Sequence, residues 1–311
     1  MLAAGYGLRM RPLTERCPKP ALPYLNRPIL HWLLDSLRSA GVERVFVNLH
    51  HLPQAVRETA ESGASGMEIR FSFEPQILGT AGVFGPLRGL IQGEALLVVN
   101  GDVFHDIPYS RLEADLMAHP EALASLALRG AEPPHTPVAT DAEGRVLSFG
   151  GKGAWMFTGI YAMRRALLEH LPGPGPRELV PDLLRPLLPS GAVRGVACPE
   201  RWLDLGSPSA FLRASMRGLQ EIVEGNMAPP EGSLLETRDH HPLLRHRSAL
   251  ISRDATLTGP LVAGEGVRVE PRARVGGAVL MAGVRVAKGE RMEGCVAMAT
   301  EGGTITAMGG A

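Results

Sequence analysis

A short run of small and apolar residues, Leu2-Ala3-Ala4, opens onto Gly5-Tyr6-Gly7, and three cations, Arg9, Arg11 and Lys19, follow closely. Glycines placed directly after an apolar run let backbone N–H groups approach an anion, and nearby cations complete a cradle for a polyphosphate. The two best-known phosphate loops are excluded: no Gly-Lys-Ser/Thr follows Gly7, and Met10 stands where a dinucleotide fingerprint needs its third glycine. Two acids stand much further along. Asp102, in Asn100-Gly101-Asp102, follows the apolar stretch Ala95–Val99. A carboxylate there suits a Mg²⁺ held by one or two acids plus substrate phosphates, although the residues alone also read as an ordinary turn. Asp204, in Trp202-Leu203-Asp204-Leu205-Gly206-Ser207-Pro208, reads on its own as a strand end before a helix cap. Asp106 reads as solvated. The histidines, at 31, 50, 51, 105, 119, 135 and the adjacent pair 240–241 among them, show no metal-ligand spacing.

Read as longer strings, these pieces resemble the sugar-1-phosphate nucleotidylyltransferases, the NDP-sugar pyrophosphorylases, whose signature is roughly L-A-A-G-x-G-x-R-M-x-P-L-T, a spacer, then P-K-P-x-L-P. Every fixed position is filled between Leu2 and Pro23. Glu74-Pro75-Gln76-Ile77-Leu78-Gly79-Thr80-Ala81-Gly82 is similar to the family's nucleobase segment, and Trp202 to Pro208 to its second acid block. Phe157-Thr158-Gly159-Ile160 is similar to the strand that lines the sugar pocket. Upstream of it the family's F-x-E-K-P is here Phe149-Gly150-Gly151-Lys152-Gly153, which keeps the lysine and lacks the acid.

The resemblance implies in-line attack of a sugar 1-phosphate on the α-phosphorus of a nucleoside triphosphate, with Mg²⁺ as cofactor and pyrophosphate leaving. Its residue roles place Arg9 on the pyrophosphate and Lys19 on the α-phosphoryl or incoming phosphate. Leu2, Ala3, Ala4, Gly5, Gly7, Gln76, Gly79 and Thr80 would bind the nucleotide, and Asn100, Lys152, Thr158 and Gly159 the sugar phosphate. Asp102 and Asp204 would hold the metal. Such a displacement asks for positioning and charge neutralisation more than for a base. At Gln76 an amide offers one donor and one acceptor, matching the N3–H and O4 edge of uracil or thymine better than guanine; the side chain could equally face water. Two alternatives stay open: transfer to a non-sugar phosphate acceptor, and a catalytically weak or silent regulatory homologue that binds sugar nucleotides.

Elements able to position these groups are legible along the chain. Leu30, Leu33, Leu34 and Leu37 fall at i, i+3, i+4, i+7 of a helix over Ile29 to Ala40 that Gly41 closes. Arg44 to Leu49, Met67 to Phe73, Ala95 to Val99 and Trp155 to Met163 read as strands, Pro53 to Glu61 as a helix, and Thr136 to Leu147 as a hairpin. Ser207 caps a last long helix, Ser209 to Glu224. This alternation implies an α/β fold with ligands beyond the carboxyl ends of the strands. With the resemblance it becomes a Rossmann-like, GT-A-like nucleotidyltransferase domain with a mixed, mostly parallel sheet sandwiched by helices. In that family the glycine loop follows a full first strand, whereas only Met1 to Ala4 precede Gly5; either the strand is short or the start is late. The expected domains are 1–225, a proline-bearing linker at 226–249, and 250–311. The last repeats small aliphatics with a period near six, which predicts a short left-handed β-helix, the alternative being a Gly/Val-rich disordered tail.

The bulk numbers exclude several classes. The 311 residues hold 32 Lys+Arg against 32 Asp+Glu, so there is no basic excess for nucleic acid. No apolar run reaches a membrane span and no leader pattern opens the chain, so a cytoplasmic protein is expected. Cys17, Cys198 and Cys295 fit neither a disulfide framework nor a zinc pattern. The tail makes a homo-oligomer a further expectation.

Overall fold

The computed structural model describes residues 1–308, which divide into two compact units. Residues 1–5, 33–101 and 105–202 form the first; residues 6–32, 102–104 and the described residues from 203 onward form the second. In chain order the elements begin β1 (Pro23–Tyr24), β2 (Arg27–Pro28), α1 (Ile29–Ser39), β3 (Arg44–Leu49), α2 (Pro53–Gly63), β4 (Glu68–Phe73), α3 (Gly79–Gly82), α4 (Phe84–Leu87) and β5 (Ala95–Val99). They continue β6 (Val103–His105), α5 (Tyr109–Ala118), β7 (Ala124–Gly130), β8 (Pro137–Thr140), β9 (Val146–Phe149), β10 (Trp155–Arg164), β11 (Val193–Ala197), β12 (Trp202–Asp204) and α6 (Pro208–Val223).

In the first unit β10 is the hub. It runs antiparallel to β5, β7 and β8, while β7 pairs parallel with β11 and, in a separate sheet, β3 pairs parallel with β4. Ile160, Tyr161, Ala162 and Met163 are consecutive and all buried, as a strand covered on both faces requires. Between Phe157 and Tyr161 the register with β7 slips, and Gly159 sits in the slip at φ 79°. Leu2 makes one parallel bridge, to Asn100. β3 and β5 belong to different sheets, and a mainly apolar cavity of about 320 Å³ lies among Val45, Phe46, Leu96, Val98 and Met1.

The second unit carries the tail. Ser207 caps α6 by accepting the Ala210 N–H through its side chain, as expected. Residues 226–249 correct the expected linker: β13 (Ser233–Arg238) and β14 (His241–His246) form an antiparallel hairpin, and β14 pairs parallel with Leu261–Ala263. The hairpin escapes a sequence reading because its two-residue turn, Asp239-His240 at φ 49° and 65°, lacks the usual glycine.

Beyond it three parallel ladders make the faces of a β-helix, with Val267, Val269, Ala273, Val275, Val284 and Val286 buried inside. Arg268 is in register with Arg285 on one face, and Arg274 with Arg291 on another. The Arg238 guanidinium ties the hairpin to the first coil through the carbonyls of Ile251, Ser252, Arg253 and Ala255. The division into units does not follow the expected boundary near residue 225, because residues 6–32 and 102–104 cluster with the segment from 203 onward.

Candidate active site

In the first unit, backbone bonds fix the opening residues. Leu2 N–H donates to Val99 O, and Gly101 N–H donates to Leu2 O at 2.8 Å. A Cβ on Gly101 would lie 2.8 Å from Leu2 O, so glycine is what allows that approach. Ala3 and Ala4 are buried, whereas nothing lies within 4 Å of a Cβ built on Gly5, leaving room for a ligand against its backbone. Ala3 N–H donates to the Asn48 side chain, which meets Glu74, and Glu74 accepts the Leu78 N–H.

The segment expected to hold the nucleobase is braced by the chain at 177–179. Ala81 N–H donates to Arg177 O, and a Cβ on Gly79, at φ 74°, would overlap that same oxygen. The Thr80 hydroxyl donates to Glu178 at 2.6 Å and accepts the Leu179 N–H, so it holds the loop rather than pointing free. Gln76 is exposed.

Of the expected sugar-phosphate set, Asn100 and Gly159 are brought together: a Cβ on Gly159 would overlap the Asn100 side-chain amide. Lys152 is exposed, on a loop where Gly150 and Gly151 both have positive φ. Thr158 differs from expectation. Its side chain is buried, and the hydroxyl donates to Ala127 O while accepting the Ile160 N–H. It therefore satisfies the slipped register of β10.

In the second unit the two acids and the cations gather. Gly7, at φ 62°, starts a short turn of 3₁₀ helix over Leu8–Met10, and the Thr14 hydroxyl donates to Gly7 O at 2.8 Å. A Cβ on Gly7 would meet the Thr14 methyl at 2.8 Å, so both signature residues shape the loop that carries Arg9. Leu205 N–H donates to Asp102 O, which puts Asp102 and Asp204 on hydrogen-bonded neighbouring segments. Lys19, 7% exposed, pairs with Asp102 Oδ2 at 2.6 Å. Gly206 lies under both other groups: a Cβ there would be 2.5 Å from Asp204 Oδ1 and 2.7 Å from Arg9 Nη2.

No cluster of three or more His, Cys, Asp or Glu able to hold a metal exists among the described residues. Two carboxylates on adjacent segments would supply only the protein half of a donor set that substrate phosphates and water complete, which is how Mg²⁺ is usually held. The residues fit that ion. Asn48 and Glu74 were not singled out as site residues from sequence, although Asn48 gives a signal, a lone amide in the apolar run Val45-Phe46-Val47-Asn48-Leu49.

Within the second unit, a buried cation on Asp102, with Asp204 and Arg9 both lying over Gly206, is an arrangement of charges suited to handling an anion. The chain belongs to the nucleotidyl transferase family, whose match covers residues 1–221. It is similar to the mannose-1-phosphate guanylyltransferase of Mycobacterium tuberculosis, 30% identical over 299 residues, 93% of this chain and 81% of that one. It is also similar to the N-acetylmuramate alpha-1-phosphate uridylyltransferase of Neisseria meningitidis, 32% identical over 214 residues, 67% of this chain and 92% of the relative. Among solved structures, HddC from Yersinia pseudotuberculosis shares the fold with a TM-score of 0.60 at 20% identity, over 70% of this chain and 97% of that one. A UDP-glucose pyrophosphorylase complexed with UDP-glucose gives 0.61 at 17% identity, over 71% and 97%. The protein is thus a nucleotidyltransferase acting in sugar 1-phosphate chemistry. No described helix is long and apolar enough to cross a membrane.

Proposed function

We propose that this enzyme condenses a nucleoside triphosphate with a sugar 1-phosphate to give an NDP-sugar and pyrophosphate. The observation that carries the reading is the Lys19–Asp102 pair, a buried ammonium held against an acid at the end of the β5 segment. One of its three protons meets Asp102; no other partner exists for it among the described residues. A desolvated cation with donors to spare suits an α-phosphoryl oxygen or an incoming phosphate.

A sugar phosphate near neutral pH is already an anion, so the protein's work is to align it and neutralise charge. Backbone N–H groups from Gly5 to Leu8 cradle the triphosphate, Arg9 takes the charge that develops on the leaving pyrophosphate, and Asn100 and Lys152 hold the sugar phosphate. Asp102 and Asp204 would hold Mg²⁺, which when bound supplies further charge neutralisation at the phosphates.

For the base, the exposed amide of Gln76 supports uracil or thymine, since it can pair with one donor and one acceptor. A guanine reading has its own support: the M. tuberculosis relative, named a guanylyltransferase, matches across the β-helix as well. A matrix of four nucleoside triphosphates against several sugar 1-phosphates, read by pyrophosphate release, tests all of this. Release with a pyrimidine triphosphate supports the reading, release with GTP alone corrects the base, and no release with any pair removes the function.

A further inference from the structure

Glu74 is a carboxylate 1% exposed, and no cation pairs with it among the described residues. What faces it is two N–H donors. The Asn48 side-chain amide donates to Oε1 at 2.8 Å, and the Leu78 backbone N–H donates to Oε2 at 2.8 Å. Asn48, 5% exposed, turns its own oxygen the other way, to the Ala3 N–H at 2.6 Å. Two convergent donors require two acceptor oxygens, and only a carboxylate supplies them at this length. Asn48 is equally constrained, because one end must accept and the other donate. The three bonds therefore run in a fixed polarity from Ala3, in the opening loop, through Asn48 and Glu74 to Leu78, in the nucleobase segment.

We propose that Asn48 and Glu74 are positioning residues. They form an internal strut that sets the spacing between the triphosphate cradle and the nucleobase loop, so that one nucleotide can engage both. The inference rests on the function proposed above. Neither residue touches substrate; they act through Ala3 and Leu78. A bond network that is fully satisfied in a low-dielectric interior is stiff, and a single mismatched member makes it costly.

The polarity yields a sharp test. Glu74→Gln places an NH₂ against either the Asn48 amide or the Leu78 N–H, a donor against a donor. Asn48→Asp places a carboxylate against a carboxylate. The double variant Asn48→Asp/Glu74→Gln reverses only the middle bond: the carboxylate introduced on β3 accepts from Ala3 and from the introduced amide, whose oxygen still accepts from Leu78. Inorganic tripolyphosphate, which has no base, probes the cradle alone, and UTP or GTP, whichever the wild type uses, probes cradle and loop together.

For Glu74→Gln, tripolyphosphate affinity should stay within about twofold while nucleotide affinity falls about 10- to 100-fold, the size of one lost bond to a charged group. The double variant should recover nucleotide affinity to within about threefold of wild type, since the bonds are restored in number. In the wild type, tripolyphosphate should also slow hydrogen exchange at the Leu78 amide, a measurement that needs no variant to fold. Equal loss of both ligands, no loss of either, a double variant no better than the singles, or unchanged exchange at Leu78 would each overturn the strut. If the wild type binds neither tripolyphosphate nor any nucleoside triphosphate, it is the functional reading that fails.

Discussion

The Lys19 ammonium and the Asp102 carboxylate stand 2.6 Å apart, the lysine side chain 8% exposed and the aspartate 35%. The acid can rehydrate if its partner is lost; the cation has no such outlet. Lys19→Met should accordingly keep the fold but lower kcat by roughly 10²–10³, as expected on removing a group that stabilises transition-state charge. Single-turnover pyrophosphate release measures it, and an unchanged rate would remove Lys19 from the chemistry. Asp102→Asn and Arg9→Ala should likewise leave thermal unfolding in place and suppress release.

Gly206→Ala separates positioning from folding. Its backbone is not in the left-handed region, so alanine brings no backbone strain, yet the new methyl would overlap both Asp204 Oδ1 and Arg9 Nη2. Displacement of such groups by about 1 Å costs on the order of 10²-fold in rate. The expected variant unfolds within a few degrees of wild type and turns over far more slowly; an active Gly206→Ala enzyme would mean that neither Asp204 nor Arg9 needs its observed place.

Gln76→Glu reports the base. Replacing the amide NH₂ with an acceptor should favour guanine, whose N1–H and N2–H both donate, and disfavour the uracil O4 edge. The ratio of kcat/KM for GTP over UTP should rise by about tenfold or more. A constant ratio would place Gln76 in water.

His105 gives a pH dependence. It is buried, its Nδ1 accepts the Ile107 N–H, its Nε2 bonds the Tyr109 hydroxyl, and burial pushes its pKa down to about 4 from 6.5. The folded ring stays neutral where the unfolded one is protonated, so the unfolded chain binds the extra proton between about pH 6.5 and 4. Stability is intact above 6.5 and falls as pH drops through that window, by at most about 3 kcal/mol from this group. Denaturant midpoints at pH 7 and 4.5 should differ less in His105→Asn than in wild type; equal differences would assign the slope to other groups.

How far the sequence was legible follows from what each signal depends on. Amphipathic spacing in α1 and apolar runs in β3 and β5 are local, and each element forms where its pattern stands. The turn at Gly7 is local as well, taking the left-handed φ of 62° that glycine permits. The β13–β14 hairpin was hidden by a turn without glycine, and the bonds of the Thr158 hydroxyl were not legible because they serve a register slip that only pairing with β7 creates. Glu74 stood inside a quoted motif, but its partner Asn48 is distant in sequence, and a bond between strand ends leaves no periodicity to read.

The stacked arginines of the tail have a consequence for handling the protein. Residues in parallel register stand about 4.8 Å apart, so Arg268 over Arg285 sets like charges on successive rungs, whereas Arg291, over Arg274, is paired with Glu293 at 2.5 Å. Ions in solution shorten the reach of that repulsion, to about 8 Å at 0.15 M and about 3 Å at 1 M. Added salt should therefore ease the Arg268–Arg285 repulsion on one face of the coil while it weakens the Arg291–Glu293 pair on another.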